Sequence, residues 1–357
     1  MKTYKILAIN PGSTSTKLAI YENEKPIYTF SVKHDAGVIS KFAHVIDQYD
    51  FRMASINQAL IESGFDLKEL SAVVGRGGML DPVEGGTYKI NQKMIDFMKV
   101  YPRGEHASNL GCMIAKKIAD QYQIPSFIVD PVAVDEMEDI ARYTGMPEIR
   151  RMSLFHALNQ KAVALKASKD LNKNYKDLNL IIAHLGGGIS VGAHQKGRVI
   201  DVNNALDGDG PMSPERSGSV PIGPLYKMVF SGKYTLEEIK RKNYGQGGLV
   251  AYLGTNDGAE IRKRIDQGDQ EAKFIYEVMC YQIAKEIGSA STVLKGKVDA
   301  IIITGGLAYN SMTIDFIKER VSFIAPVMVY PGEDEMEALA YGAMRVLKGE
   351  EQAKEYK

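Results

Sequence analysis

Cysteine is scarce, charge is balanced and no apolar run is long. The chain has 357 residues and two cysteines, Cys112 and Cys280. Both sit in apolar helical patterns, which excludes a disulfide framework, and no Cys/His cluster has zinc spacing. The expectation is two buried free thiols in a reducing cytosol. Lys plus Arg and Asp plus Glu are both 44, so the formal net charge is zero. That balance gives neither a nucleic-acid footprint nor a polybasic membrane patch. No apolar stretch is long enough to span a bilayer, and the chain runs straight into a strand pattern with no leader expected. With 45% hydrophobic and 25% charged residues, the composition is that of an ordinary globular protein, long enough for two full cores. A cytoplasmic enzyme or binding protein is the expected class, with no nucleic-acid or membrane partner.

What is present is a repeated order of elements. Periodicity places strands at residues 4–9, 17–21 and 27–32, then a helix at 53–62, a strand at 72–74 and a helix at 109–122. A strand at 126–129 and a long helix from about residue 154 follow. The second half starts again with strands at 180–184, 189–193 and 198–202. Its longest helix lies at 271–294, then a strand at 300–303, a helix at 312–321, a strand at 327–330 and a helix at 335–347. Both halves read βββαβαβα, an order that many α/β chains share. The placement of a glycine-rich turn between the first and second strands of each half raises duplication above chance. The segment 141–153, with Gly145, Pro147, Arg150 and Arg151, is the expected hinge, and the charged tail 350–357 is expected to fray.

The first glycine-rich turn runs from Asn10 through Pro11, Gly12, Ser13, Thr14, Ser15 and Thr16 to Lys17. It offers hydroxyls and a cation on a hairpin tip, and it is not a P-loop, which needs G-x-x-x-x-G-K-[ST] leading into a helix. A plain turn would also favour Ser, Gly and Pro. The second turn holds Gly186, Gly187 and Gly188 between His184 and Ser190. Consecutive glycines lose much backbone entropy on folding and mark close approach to a ligand or a β-bulge. Such tips present backbone N–H and hydroxyl donors to an anion. His184, at the mouth of the turn, reads as a phosphate donor or as a core histidine. Two facing hairpins would grip a polyphosphate, which points to a nucleotide and to phosphoryl transfer.

Further along, Gly305 and Gly306 end an apolar strand; they would admit a flat base or ribose at the strand's carboxyl end, or form a compact turn. Arg76 sits among Gly75, Gly77 and Gly78 just past a buried strand, and Arg216 sits in the polar loop 207–219. His156 lies in an apolar pattern and by itself reads as a structural histidine. Asp130 ends a strand, where a carboxylate is a metal or catalytic candidate.

Together these motifs resemble the acetokinase family, within the acetate and sugar kinase/heat-shock-70/actin superfamily, over essentially the whole chain. The resemblance implies two similar actin-like (ribonuclease H-like) α/β domains around a central cleft. The first would be 1–150 with the C-terminal helix of about 338–357 crossing back to it, the second 151–337. Residues 10–17 and 184–192 match the family's phosphate loops, and 304–310, with Asn310, its adenosine motif. The order Arg76, His106, Asp130, Arg150, Arg151, His156, His184, Arg216 follows that of its functional residues. Asn256 and Asp257 fall in a stretch similar to its nucleotide side. The chain is shorter than acetate kinases, and its Gly-Arg-Gly-Gly around Arg76 and the His-Ala-Ser-Asn-Leu-Gly beginning at His106 are similar to the butyrate kinase branch.

The resemblance implies ATP/ADP and Mg²⁺ as cofactors, a small carboxylic acid and its acyl phosphate as substrates, and a homodimer or higher homo-oligomer. Butyrate is the acid implied first, with acetate, propionate or a branched acid as alternatives, and a non-enzymatic nucleotide-gated module as the reading from another class. Arg76, Asp130, His156 and Arg216 would be catalytic, and Arg76 with His106 would bind the acid. Asn10, Gly12, Ser13, Ser15, Lys17, His184, Ser190 and the glycines Gly186, Gly187 and Gly188 would hold the phosphates. Asn256, Asp257, Gly305, Gly306 and Asn310 would hold the nucleoside, while Asp130 with Glu335 or Glu337 would serve the metal. A carboxylate is already an anion at neutral pH and needs no general base. Its difficulty is repulsion from the phosphate, so the site needs cations where the two anions meet.

Overall fold

The run Ile6, Leu7, Ala8 and Ile9 is apolar without alternation, the pattern of a strand covered on both faces; in the structure, a computed structural model describing residues 2–357, all four are 0% exposed. They belong to β1 (Lys5–Pro11), followed by β2 (Ser15–Glu22), β3 (Lys25–Lys33), β4 (Ala72–Gly75), β5 (Thr87–Lys89) and β6 (Ser126–Val129). With the C-terminal strand Lys354–Glu355 they form a seven-stranded sheet in the order Lys354–Glu355, β5, β6, β4, β1, β2, β3. β1 is antiparallel to β2 and parallel to β4, and β4 is parallel to β6. Leu7, Ile9, Val73 and Ile128 share a core with Leu110, Ile114 and Ile118 of the helix Asn109–Gln121. The helix Glu335–Lys348 packs on β1, β4 and β6, and Gly342 lies so close to Val129 that its side chain fills the space a Cβ would need.

A second sheet follows the same plan. It contains β7 (Asn179–Leu185), β8 (Ile189–Gln195), β9 (Arg198–Val202), β10 (Ala300–Gly305) and β11 (Val327–Pro331) in the order β11, β10, β7, β8, β9. Alternate residues of its parallel strands serve two cores. Ile181, Ala183, Ile301 and Ile303 pack with the long helix Gln270–Val293, while Leu180, Ile182, Ala300 and Ile302 pack with the helix Ala157–Asp170. In each sheet an antiparallel three-strand start is extended by two parallel strands on the side of the first strand, as the repeated element order predicts.

The chain divides into two units, Met1–Val134 with Asp334–Lys357, and Asp135–Glu333. The division falls before the expected hinge. Residues 141–153 belong to the second unit because local bonds hold them there: Tyr143 bridges Arg150, and Arg151 donates to Ala141 O at 2.8 Å, Asp201 Oδ1 at 2.9 Å and Val202 O at 3.1 Å. The C-terminal tail is also tied down rather than frayed. Lys354–Glu355 pairs with β5, Tyr356 is buried against Phe97, and its carbonyl accepts from Asn91 Nδ2 at 2.8 Å. A polar-looking tail thus carries one aromatic anchor. Among the described residues no helix is long and apolar enough to cross a membrane.

Candidate active site

In the first unit the β1–β2 turn is built from beneath. Gly12 N donates to Ser15 O at 2.7 Å and closes the tip. Arg52, 0% exposed, donates to Gly12 O at 2.8 Å, to Ser13 O at 2.9 Å and twice to Gln48 Oε1. Among the described residues no carboxylate pairs with this buried guanidinium; its bonding partners are neutral oxygens of the turn and of Gln48. Thr16 is enclosed, its hydroxyl 2.8 Å from His34 Nε2, while Ser13, Thr14 and Lys17 are exposed at the tip.

Arg76 follows β4, where Gly75 and Gly111 cross with no room for a Cβ on either. Its amide donates to Ile9 O at 2.8 Å, and its guanidinium pairs with Glu335. Asn10 Nδ2 reaches the other oxygen of Glu335 at 2.5 Å. Burial alone would raise the Glu335 carboxyl, but the charge and hydrogen bonds of Arg76, with Asn10 and Lys17, outweigh it and hold it below the ordinary range. His106 bonds Ser108 Oγ through Nδ1 at 2.7 Å; burial first and the Arg76 charge second push it down, against an opposing pull from Glu335. Asn10, Arg76, His106 and Glu335 therefore form one electrostatic group, although the last is 325 residues from the first.

Asp130 ends β6 with φ of 38°, and its carboxylate accepts from Gly86 N at 2.6 Å. A non-glycine residue held there is strained, as is common at functional sites. Burial first and Glu337 second push the Tyr341 hydroxyl up, and that hydroxyl donates to Glu24 O at 3.3 Å. Asp130, Glu335 and Glu337 thus have separate partners, and among the described residues no group of three or more His, Cys, Asp or Glu could hold a metal ion.

The second unit contains a cavity of about 810 Å³ lined by the expected residues Gly186, Gly187, Asn256, Asp257, Gly306 and Asn310, together with Glu215 and Tyr276. Its volume is in the range of small-molecule sites. Gly305 has φ of 91°, and a Cβ there would overlap the Leu185 backbone, so this glycine is demanded by the crossing of β10 and β7. Gly306 faces open space. Asn256 Nδ2 donates to Glu215 Oε1 at 2.7 Å. Asp257 and Asn310 cap the helices Gly258–Asp266 and Ser311–Val321, with Asn310 Nδ2 also donating to the Tyr276 hydroxyl at 3.0 Å.

Arg216 lies behind the second glycine turn. A Cβ on Gly188 would overlap its guanidinium. The group sits 4.9 Å from the Tyr244 ring, and its buried Nε and Nη1 have no hydrogen-bond partner among the described residues. Burial lowers its pKa, with Tyr244 and Glu215 opposing. Beside the same turn His156 and His184 stack with ring centroids 3.9 Å apart and planes at 15°. His184 is enclosed: Nδ1 lies 2.7 Å from Asn159 Oδ1 and Nε2 3.3 Å from Glu333 Oε2. The hydroxyl of Ser190 is buried and engaged by His156 and Gln160. Two residues expected at the phosphates therefore have side chains that support His156.

A sequence profile of the acetokinase family matches residues 140–327. Butyrate kinase 2 of Clostridium acetobutylicum is 55% identical over 354 residues, covering 99% of each chain. The chain belongs to the acetokinase family. Two solved structures share its fold. Acetate kinase of Porphyromonas gingivalis is 20% identical with a TM-score of 0.81, covering 96% of this chain and 100% of that one. A propionate kinase of Francisella tularensis is 22% identical with a TM-score of 0.72, covering 95% and 98%. As a member of the acetokinase family the protein is an ATP/ADP-using kinase acting on small molecules, which removes the non-enzymatic module as an alternative.

Sequence reasoning overlooked Arg52, Asn159, Gln160, Glu215 and Glu333. Two of them carried a signal. Arg52 falls on the i, i+4, i+8 stripe with Ile56 and Leu60, and Gln160 on the stripe with Val163, Ala164 and Ala167. A polar residue on a buried helical face needs an internal partner.

Proposed function

We propose that this acetokinase catalyses reversible phosphoryl transfer between ATP and the carboxylate of butyrate, giving butyryl phosphate and ADP. The observation that carries the chemistry is the Arg216 guanidinium, whose buried Nε and Nη1 lack partners among the described residues beside a glycine turn. Buried donors left unpaired are costly, and the charged fork of arginine fits the oxygens of a phosphoryl group. The choice of butyrate is supported by the 55% identity to a butyrate kinase.

In this reading the second unit's cavity binds the nucleotide, with Gly186, Gly187 and Gly188 at the phosphates and Asn256, Asp257, Gly305, Gly306 and Asn310 at the nucleoside. Asn10, Gly12, Ser13, Ser15 and Lys17 are assigned to phosphate binding. Arg76 binds the acid's carboxylate with His106 beside it. Glu335 orients Arg76 and is displaced as a partner when the substrate carboxylate arrives. His156 donates to the transferring group, Arg216 neutralises its developing charge, and Asp130 orients the acid side. Bound with the nucleotide, Mg²⁺ would supply charge neutralisation on the phosphates, with Asp130 and Glu335 or Glu337 as the carboxylates that would serve it.

We also assign the enzyme to the cytoplasm, supported by its buried free thiols, and to a homodimer. The helix Ile222–Val229 has no buried residue, and Ile222, Tyr226 and Phe230 are exposed, a surface that a second copy would cover; sedimentation would test this. A hydroxamate assay across C2 to C6 straight and branched acids tests the activity. Butyrate should have the highest kcat/KM; a higher value for acetate overturns the substrate, and no acyl phosphate with any acid overturns the reaction.

A further inference from the structure

Behind His156 runs a continuous line of buried polar groups. Ser190 Oγ lies 2.9 Å from His156 Nδ1. Gln160 Nε2 lies 2.8 Å from Ser190 Oγ and 3.1 Å from the Ser190 carbonyl oxygen. Gln160 Oε1 lies 2.9 Å from His194 Nε2, and His194 Nδ1 lies 2.7 Å from the Tyr175 hydroxyl. Gln160, Ser190 and His194 are each 0% exposed. An apolar set of side chains would fill the same volume without the risk of an unsatisfied group, so the polar line calls for a reason.

Its bond directions follow from one carbonyl. The Ser190 carbonyl can only accept, so the Gln160 amide turns its NH₂ towards Ser190 and its Oε1 towards His194. That oxygen needs a proton on His194 Nε2, which leaves Nδ1 to accept from the Tyr175 hydroxyl. Burial first and the Lys161 charge second push His194 well below the ordinary histidine range, so it stays neutral in this line. At the other end the Ser190 hydroxyl already accepts from Gln160 and has its own hydrogen to donate to His156 Nδ1. His156 then carries its proton on Nε2, with the stacked ring of His184 fixing its plane.

We propose that Gln160, Ser190 and His194 are positioning residues that hold His156 in the Nε2–H tautomer, so that the ring presents a donor during transfer. The catalytic consequence rests on the reaction proposed above; the tautomer does not. The test is a multiple-bond ¹H–¹⁵N correlation spectrum of the full-length enzyme labelled with ¹⁵N-histidine, with His156 and His194 assigned from H156N and H194N. Both should show the Nε2–H pattern in the wild type. In S190A, and in the isosteric Q160E that replaces a donor by an acceptor, His156 should lose that preference. Their kcat should fall on the order of 10-fold, less than the roughly 10²- to 10⁴-fold that a proton-transferring group itself contributes, with KM values for ATP and acid little changed and the folded baseline retained by circular dichroism. An Nδ1–H pattern on wild-type His156 overturns the proposal, as does an unchanged tautomer in both variants. A changed tautomer with unchanged kcat overturns the positioning role. If the wild type phosphorylates no acid, the proposed reaction fails while the spectrum still decides the tautomer.

Discussion

Replacing Arg216 by alanine should separate activity from stability. Two of its buried donor atoms lack partners among the described residues. Each hydrogen bond that a charged donor makes to the transferring phosphoryl is worth about 1.5–3 kcal/mol, so two should contribute roughly 3–6 kcal/mol of transition-state stabilisation. At about 1.4 kcal/mol per factor of ten, kcat should fall roughly 10²- to 10⁴-fold. Stability should move the other way or stay level. Alanine removes two unsatisfied buried donors, each costing about 1–3 kcal/mol. It loses the contact with the Tyr244 ring at 4.9 Å, worth about 0.5–1 kcal/mol. Arg216→Lys should recover little, because one ammonium cannot reproduce the fork. The assay is hydroxamate kinetics with butyrate and ATP beside a thermal melt of each variant. A kcat within a few-fold of wild type would refute the reasoning, as would an activity loss accompanied by a matching drop in Tm.

Gly187→Val should weaken ATP binding in calorimetry by about tenfold or more, in line with the loss of one or two backbone contacts, while the fold survives, because a Cβ there meets only the flexible carboxylate of Glu215 at 3.3 Å; unchanged affinity would make the turn purely structural. Glu335 has a carboxyl lowered by Arg76 and Asn10 despite burial, so its stabilising contribution is complete above the ordinary value of 4.5 and is lost as the pH falls through the lower folded value. Urea unfolding from pH 6 downward should therefore show a shallower acid decline in Glu335→Gln than in wild type, and parallel curves would remove the pairing from the stability balance. Burial pushes the Cys112 and Cys280 thiols up to about 12, so a thiol reagent should label neither in the native protein and both in urea; fast native labelling would contradict their placement.

Legibility differed between kinds of feature. The strands and the long helices were readable because apolar periodicity reports local geometry: the doubly covered run of residues 6–9 and the alternating partners on β7 and β10 carry their burial in their composition. The glycine turns were readable as turns, but their individual glycines were not separable. Gly305 is required by the Leu185 backbone and Gly188 by the Arg216 guanidinium, whereas a Cβ on Gly187 would meet the Glu215 carboxylate at 3.3 Å and Gly306 borders open space. Those distinctions depend on which atoms approach from elsewhere in the chain. The expected hinge at 141–153 misled for a similar reason: Gly, Pro and paired arginines suggest a linker, yet Arg151 is held by a residue 50 positions later.

The sequence by itself determined the element order, the repeated plan of two α/β units and the identity of the residues able to meet an anion, because each depends on neighbours within a few positions or on a motif's residue types. Tertiary structure alone decided their partners. It joined Asn10 and Arg76 to Glu335, placed a buried Arg52 beneath the first turn, and turned Ser190 and His184 inward to support His156. Hydrogen-bond direction and electrostatic coupling act over a few ångströms in space. Residues hundreds of positions apart acquire them only when the sheets are assembled.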